Sequence, residues 1–233
     1  MKIILGIDAL ELGKALDIVS ALRTRIHGVK VHSRLDRNGA QTIKILKLAG
    51  ARNVFVDLKL ADTEDSVADR VKAWLDHGAD IITVHATSGL RGMYAARKAA
   101  PDLELWAVTL LTSKTEDEIL YEYGQPPEQV VYNYAAMAKL AGMDGIVCAA
   151  SDTKKIFQDD GFKNWGIMIP GIRGEGEKRD CQARASTPAQ AVNSGATHIV
   201  VARKVMLAPD PIAAFERIEQ TILEAEAAQK AAL

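Results

Sequence analysis

Short apolar runs recur through this chain with helix-patterned stretches between them, and this alternation constrains the fold more than any other feature. The runs at Ile3–Ile7, Val29–Val31, Val54–Leu58, Ile81–His85, Leu105–Thr109, Gly145–Cys148, Gly166–Ile169 and His198–Val201 read as strands. They are continuously apolar rather than alternating, as expected of strands covered on both faces. Between them, "EDSVADRVKAWLDHGAD" puts Val67, Val71, Trp74 and Leu75 on one helical face, with Gly78 closing the helix. "TPAQAVNSGAT" offers Thr187 as N-cap, Pro188 at the first helical position and Gly195 at the C-terminus. About eight such βα units in 233 residues fit one small (β/α)8 barrel domain spanning residues 1–233. A doubly wound open sheet is the structural alternative. It usually carries a glycine-rich turn after its first strand, and "GIDALELG" lacks the G-x-G-x-x-G spacing.

Charge and cysteine content narrow the function classes. A formal net charge of -1 provides no global basic field for nucleic acid or an anionic membrane. No apolar stretch is long enough to span a bilayer, and the opening run meets Asp8 too early for a signal-peptide core. Cys148 and Cys181 are too few for a disulfide framework, so a reduced, cytoplasmic protein is expected. The tail "EAEAAQKAAL" reads as solvated helix.

If the fold is a barrel, chemistry belongs at the C-terminal ends of its strands. The third strand poses the question most sharply: "VFVDLKLADTEDSV" leaves the core and places Asp57, Lys59 and Asp62 within six positions. Strand one ends in Asp8, strand two contains Lys30, strand four ends in His85, and strand five runs to Thr109, Thr112 and Ser113. Each has a bland reading. A lone Asp there is often a helix cap, Lys30 a snorkelling side chain, and His85 a hydrogen-bonded structural histidine. An alternating set of Asp8, Lys30, Asp57, Lys59 and Asp62 on adjacent strand ends is less easily assigned to a structural ion-pair network. After strand seven, "PGIRGEG" is glycine-rich, and "VVARK" sets Arg203 where strand eight gives way to its helix. Barrels often bind phosphate at this place, and a loop carrying Arg173 and Gln182 could close on an anion.

These segments resemble one family. "DLKLAD" matches the D-x-K-x-x-D signature of the orotidine 5′-monophosphate decarboxylase suprafamily, and "VHATSG", "VTLLTS", "GIVCAAS", "PGIRGEGEKRDCQARASTPAQA" and "IVVARKVMLAPDPIAA" are similar to the bacterial orotidine branch, in order along the chain. The resemblance implies a (β/α)8 barrel acting on orotidine 5′-monophosphate, with no cofactor and no metal, as a homodimer with shared sites. It implies that Asp8 and Lys30 contact ribose, that Lys59 donates the proton, that Asp57 flanks it, and that Asp62 arrives from the partner subunit. Ser66 and Thr112 would hold ribose and pyrimidine groups, and Arg173, Gln182 and Arg203 would grip the phosphate and its loop. The chain departs from the family at Thr63 (usually isoleucine), Ser66 (threonine), His32 (glycine) and Ala202, which replaces the glycine beside the phosphate-gripping arginine.

The chemistry explains the charges. Decarboxylation leaves an electron pair on ring carbon six with no adjacent carbonyl to take it, so a preorganised ammonium must stabilise the carbanion and then protonate it. Neighbouring carboxylates favour the charged form of such a lysine. Two other readings stay open from the sequence. One is a magnesium-dependent enzyme of the same suprafamily, acting on a sugar phosphate with the acids as ligands. The other is a non-catalytic nucleotide-binding protein.

Overall fold

The protein is described by a computed structural model covering residues 1–173 and 183–231. Eight parallel strands close into a barrel in sequence order. They are β1 (Lys2–Gly6), β2 (Gly28–Val31), β3 (Val54–Leu60), β4 (Ile81–His85), β5 (Glu104–Val108), β6 (Gly145–Val147), β7 (Gly166–Ile169) and β8 (His198–Val201). The circle closes through β1 and β8, where Lys2 to Leu5 lie opposite His198 to Val201. Helices cover the outside, and the barrel expected from the alternating pattern is the one observed.

Two layers of core follow from that closure. Outside the barrel, residues such as Leu5, Val29, Val56, Ile82 and Ile199 pack against the helices. Inside it, Ile4, Phe55, Ile81, Trp106, Met168 and Val200 form a separate apolar plug. Trp106 fills the barrel floor only because β6 and β7 both begin with glycine. A Cβ on Gly145 or Gly166 would lie 2.5 or 2.6 Å from its indole ring. Side chains two apart on a strand share a face. The inward lines therefore run from this plug up to the rim: Ile4 and Gly6, then Phe55, Asp57 and Lys59, then Ile81 and Thr83.

The helix Glu64–Asp76 buries Val67 and Val71 as expected, with Trp74 partly covered. Leu75 differs and stays 39% exposed. Eight residues at 3.6 per turn carry it roughly 80° round from Val67, off the buried stripe. Gly78 ends this segment at φ 88°, its N–H donating to Leu75 O at 2.8 Å. The helix Pro188–Asn193 begins with a reciprocal capping box between Thr187 and Gln190, with Pro188 in the first turn. The C-terminal helix Pro211–Ala231 is partly tied down, since the N-terminal ammonium donates to Glu226 at 2.6 Å.

Candidate active site

The strand β3 runs on past Leu58 to Leu60, so Lys59 belongs to the strand. The pairing of β3 with β4 slips between Val56 and Leu60. Lys59 sits within that slip at φ 50°, a left-handed conformation that costs a non-glycine residue about 1–2 kcal/mol. The slip lets Leu60 return to the outer core while Lys59 faces the rim. The hydroxyl of Thr83 on β4 spans the irregularity. It accepts from the Lys59 N–H at 2.9 Å and donates to Asp57 Oδ1 at 3.0 Å.

Asp57 is the centre of the cluster. Its Oδ2 lies 3.0 Å from Lys30 Nζ and 2.9 Å from Lys59 Nζ. Burial alone would raise its pKa, yet the two ammonium groups and their hydrogen bonds hold the carboxyl well below the usual carboxylate range. Lys30 is shifted upward. Burial opposes its charge, and the carboxylates of Asp57 and Asp8 overcome that penalty. Asp8 Oδ2 lies 3.8 Å from Lys30 Nζ, while its Oδ1 accepts the backbone N–H groups of His32 and Arg34, each at 3.0 Å. Asp8 thus accepts backbone N–H groups at the start of the helix Ser33–Asn38 and also faces the lysine.

Above this cluster is a cavity of about 260 Å³. Its floor is the top of the barrel plug, Phe55, Met168 and Val200, with Val147, Leu111 and Pro170 adding apolar wall. Its polar lining comprises Lys30, Asp57, Lys59, Thr112, Ser113, Arg173 and Arg203, with Ala202 beside Arg203. Gly171, at φ 73°, turns the chain out of β7 at its edge. His32, standing where the family pattern has glycine, also lines the cavity and donates from Nδ1 to the Asp57 carbonyl at 2.5 Å. A larger groove of about 570 Å³ lies beside Ser151, Phe157 and Arg184. It contains none of the acid–base set, so the smaller cavity is the candidate site.

The remaining sequence-derived candidates fall elsewhere. Asp62 is exposed beyond the end of β3, its carboxylate accepting from the N–H of Thr63 at 2.7 Å, and it does not join Lys59 within this chain. Ser66 lies in the first turn of the next helix, where its hydroxyl accepts from Thr63 at 3.1 Å, and it too is outside the cavity lining. Gln182 lies outside the described residues, as do Asp180 and Cys181. His85 is a hydrogen-bonded histidine, as expected, with Nδ1 2.8 Å from Thr87 Oγ1. Burial first, then Lys59 and Lys114, push its pKa down.

Two features escaped the sequence reading. Thr83 carried a signal, being a polar residue inside an apolar strand and two positions before His85. The pair of Arg184 and Asp152 carried none. These side chains are 6% and 3% exposed and form a buried ion pair. Arg184 also donates to the carbonyls of Leu111 at 2.9 Å and Lys114 at 3.1 Å. It thereby fixes the segment after β7 to the β5 rim. The two sides of that segment meet where Arg173 N–H donates to Ser186 O at 2.9 Å.

The profile of the orotidine 5′-phosphate decarboxylase / HUMPS family matches residues 1–218. The chain is 36% identical to an orotidine 5′-phosphate decarboxylase of Nitrosomonas eutropha, over 96% of this chain and 98% of that one. It is 37% identical to one of Chromohalobacter salexigens, over 95% and 96%. A crystal structure of orotidine 5′-phosphate decarboxylase from Lactobacillus acidophilus superposes with a TM-score of 0.77 at 30% identity, covering 95% of this chain and 98% of that one. The family match spans most of the chain and these relatives cover nearly all of it, and the chain belongs to the orotidine 5′-phosphate decarboxylase / HUMPS family.

Proposed function

We propose that this protein decarboxylates orotidine 5′-monophosphate to uridine 5′-monophosphate in pyrimidine biosynthesis, without a cofactor. The observation that carries the reading is the Lys30–Asp57–Lys59 chain, with contacts of 3.0 and 2.9 Å, set over an apolar floor at the C-terminal rim of the barrel. The full-length relatives named as decarboxylases support it.

In this mechanism the pyrimidine ring lies against the apolar wall and the phosphate faces Arg203 and Arg173. The C6–carboxylate bond breaks, carbon dioxide leaves, and the electron pair remains on C6. Lys59 Nζ stabilises that charge and transfers its proton to C6. Solvent then reprotonates the lysine. Lys30 and Asp57 keep the ammonium in place, so little reorganisation is needed as charge develops. Binding of the distal phosphate supplies energy that can be used in the transition state.

The magnesium-dependent reading fits this geometry less well. Asp57 already holds two ammonium groups and the Thr83 hydroxyl, and a metal there would have to displace them. The proposed assembly is a cytoplasmic homodimer in which Asp62 completes the neighbour's site. The position of Asp62, exposed and making no ion pair with its own Lys59, supports that arrangement.

The test is a turnover assay with orotidine 5′-monophosphate in the presence of a chelator. Chelator-resistant release of carbon dioxide, with loss of the orotate absorbance, is expected. No turnover of this substrate would overturn the proposal, and activity requiring added magnesium would favour the sugar-phosphate chemistry.

A further inference from the structure

At the opposite end of the barrel, His27, Glu104 and His198 converge. One potential ligand atom from each lies within 4.8 Å of the others. His198 opens β8 and is only 5% exposed. Glu104 opens β5, and His27 directly precedes β2. The Nε2 atoms of both histidines are buried without a hydrogen-bond partner. Buried polar atoms are rarely left this way; the two rings pack edge-on with centroids 5.3 Å apart, and both unpaired nitrogens belong to a set that includes a carboxylate.

The surroundings orient these groups as ligands. Thr197 Oγ1 lies 2.8 Å from His198 Nδ1 and 3.1 Å from the Ile167 carbonyl. When the hydroxyl proton goes to that carbonyl, Oγ1 accepts from Nδ1–H, and the His198 lone pair is left on Nε2. Trp106 Nε1 donates to Glu104 Oε1 at 2.7 Å, and its ring packs edge-on against His198 at 4.8 Å. Such outer contacts fix ring orientation and carboxylate direction in metal sites. His198 and Glu104 also border a surface depression of about 570 Å³, which supplies an approach from solvent.

We propose that His27, Glu104 and His198 form a structural site for a divalent d-block cation, zinc being the best match, which ties the floor of the barrel together across β2, β5 and β8. Two imidazoles and a carboxylate suit zinc, with bonds of about 2.0–2.2 Å and a fourth position open to water. Ligand atoms up to 4.8 Å apart are wider than such bonds allow, so binding draws them inward, with the partly exposed Glu104 moving most. Lys2, Arg52 and the N-terminal ammonium act on the histidines from nearby. They disfavour a cation, and Glu104 is the charge that offsets them.

The experiment is titration of the whole protein with zinc chloride in competition with a chromophoric chelator, on wild type and on His27→Gln, Glu104→Gln and His32→Gly. The proposal expects one tight equivalent per chain, weakened roughly tenfold or more by His27→Gln and by Glu104→Gln and unaffected by His32→Gly. It also expects Tm to rise roughly 5–10 °C at a hundredfold excess over the wild-type Kd in wild type and in His32→Gly, and by about half of that or less in His27→Gln and Glu104→Gln. X-ray absorption of the loaded protein should show two imidazole ligands. His27 and Glu104 are only partly buried, so these variants test the site without replacing the buried His198. No tight equivalent, an equivalent retained by both variants, or one lost with His32→Gly would each overturn the proposal. So would a zinc-independent Tm change alone, which would assign the cluster to a water bridge.

Discussion

Lys59 occupies the least comfortable backbone position on the rim, at φ 50°, and the Thr83 hydroxyl is what holds it there. Thr83→Val removes the acceptor for the half-buried Lys59 N–H and the donor to the buried Asp57 in one step. An unsatisfied buried donor costs about 1–3 kcal/mol, so a loss of that size is expected in denaturant unfolding. A fall in kcat larger than any change in KM should accompany it, because the residue positions Lys59 and does not touch the substrate. Thr83→Ser should restore most of both. Lys59→Ala should lower kcat by at least the roughly 10²–10⁴-fold typical of a positioned acid, with the fold intact by circular dichroism. A pH prediction follows from Asp57. Its folded pKa is depressed, so its stabilising contribution is present above the unfolded value of about 3.9 and is lost as pH falls through the folded value. Wild type should therefore be more stable than Asp57→Asn at pH 6, and unfolding measured at successively lower pH should show the difference shrinking below about pH 4.

At the level of elements, the rim depends on how the segment after β7 is attached. Arg184 and Asp152 make that attachment from inside the protein. Removing one member of a buried pair is expected to cost about 3–5 kcal/mol, because the other charge remains buried. Arg184→Ala should therefore lower stability by that order in denaturant melts. It should also raise KM for the phosphorylated substrate, since the loop is released from Leu111 and Lys114. Arg203→Ala should separate from this behaviour. With one charge-assisted bond worth about 1.5–3 kcal/mol, kcat/KM should fall for orotidine 5′-monophosphate and barely change for orotidine lacking phosphate. Equal losses for both substrates would make Arg203 structural.

For the whole molecule, the informative residue is Asp62, which the chain leaves at the surface. If a second copy brings its Asp62 to this Lys59, inactive Lys59→Ala and inactive Asp62→Ala proteins should complement after subunit exchange. One site of the heterodimer then carries both mutations and the other carries neither, so activity returns toward one working site per heterodimer. Sites built within a single chain would each keep one defect. A mixture that forms heterodimers, by mass measurement, yet stays inactive would sink the shared-site assembly.

The barrel and most of its charged rim were legible in the sequence, because the signals are local. Apolar runs such as Ile81–Val84 and capped segments such as Thr187–Gln190 declare their elements within a few residues, and a period of two along β3 already sets Asp57 and Lys59 on one face. The spacing D-x-K-x-x-D also named the chemistry through resemblance. What the sequence could not contain was decided by closure. The meeting of Arg184 with Asp152, the hydroxyl of Thr83 across a slipped register, and the gathering of His27, Glu104 and His198 each join residues from different strands or loops, 24 to 171 positions apart. Such contacts depend on the radius, tilt and register of a closed sheet, which no local pattern encodes.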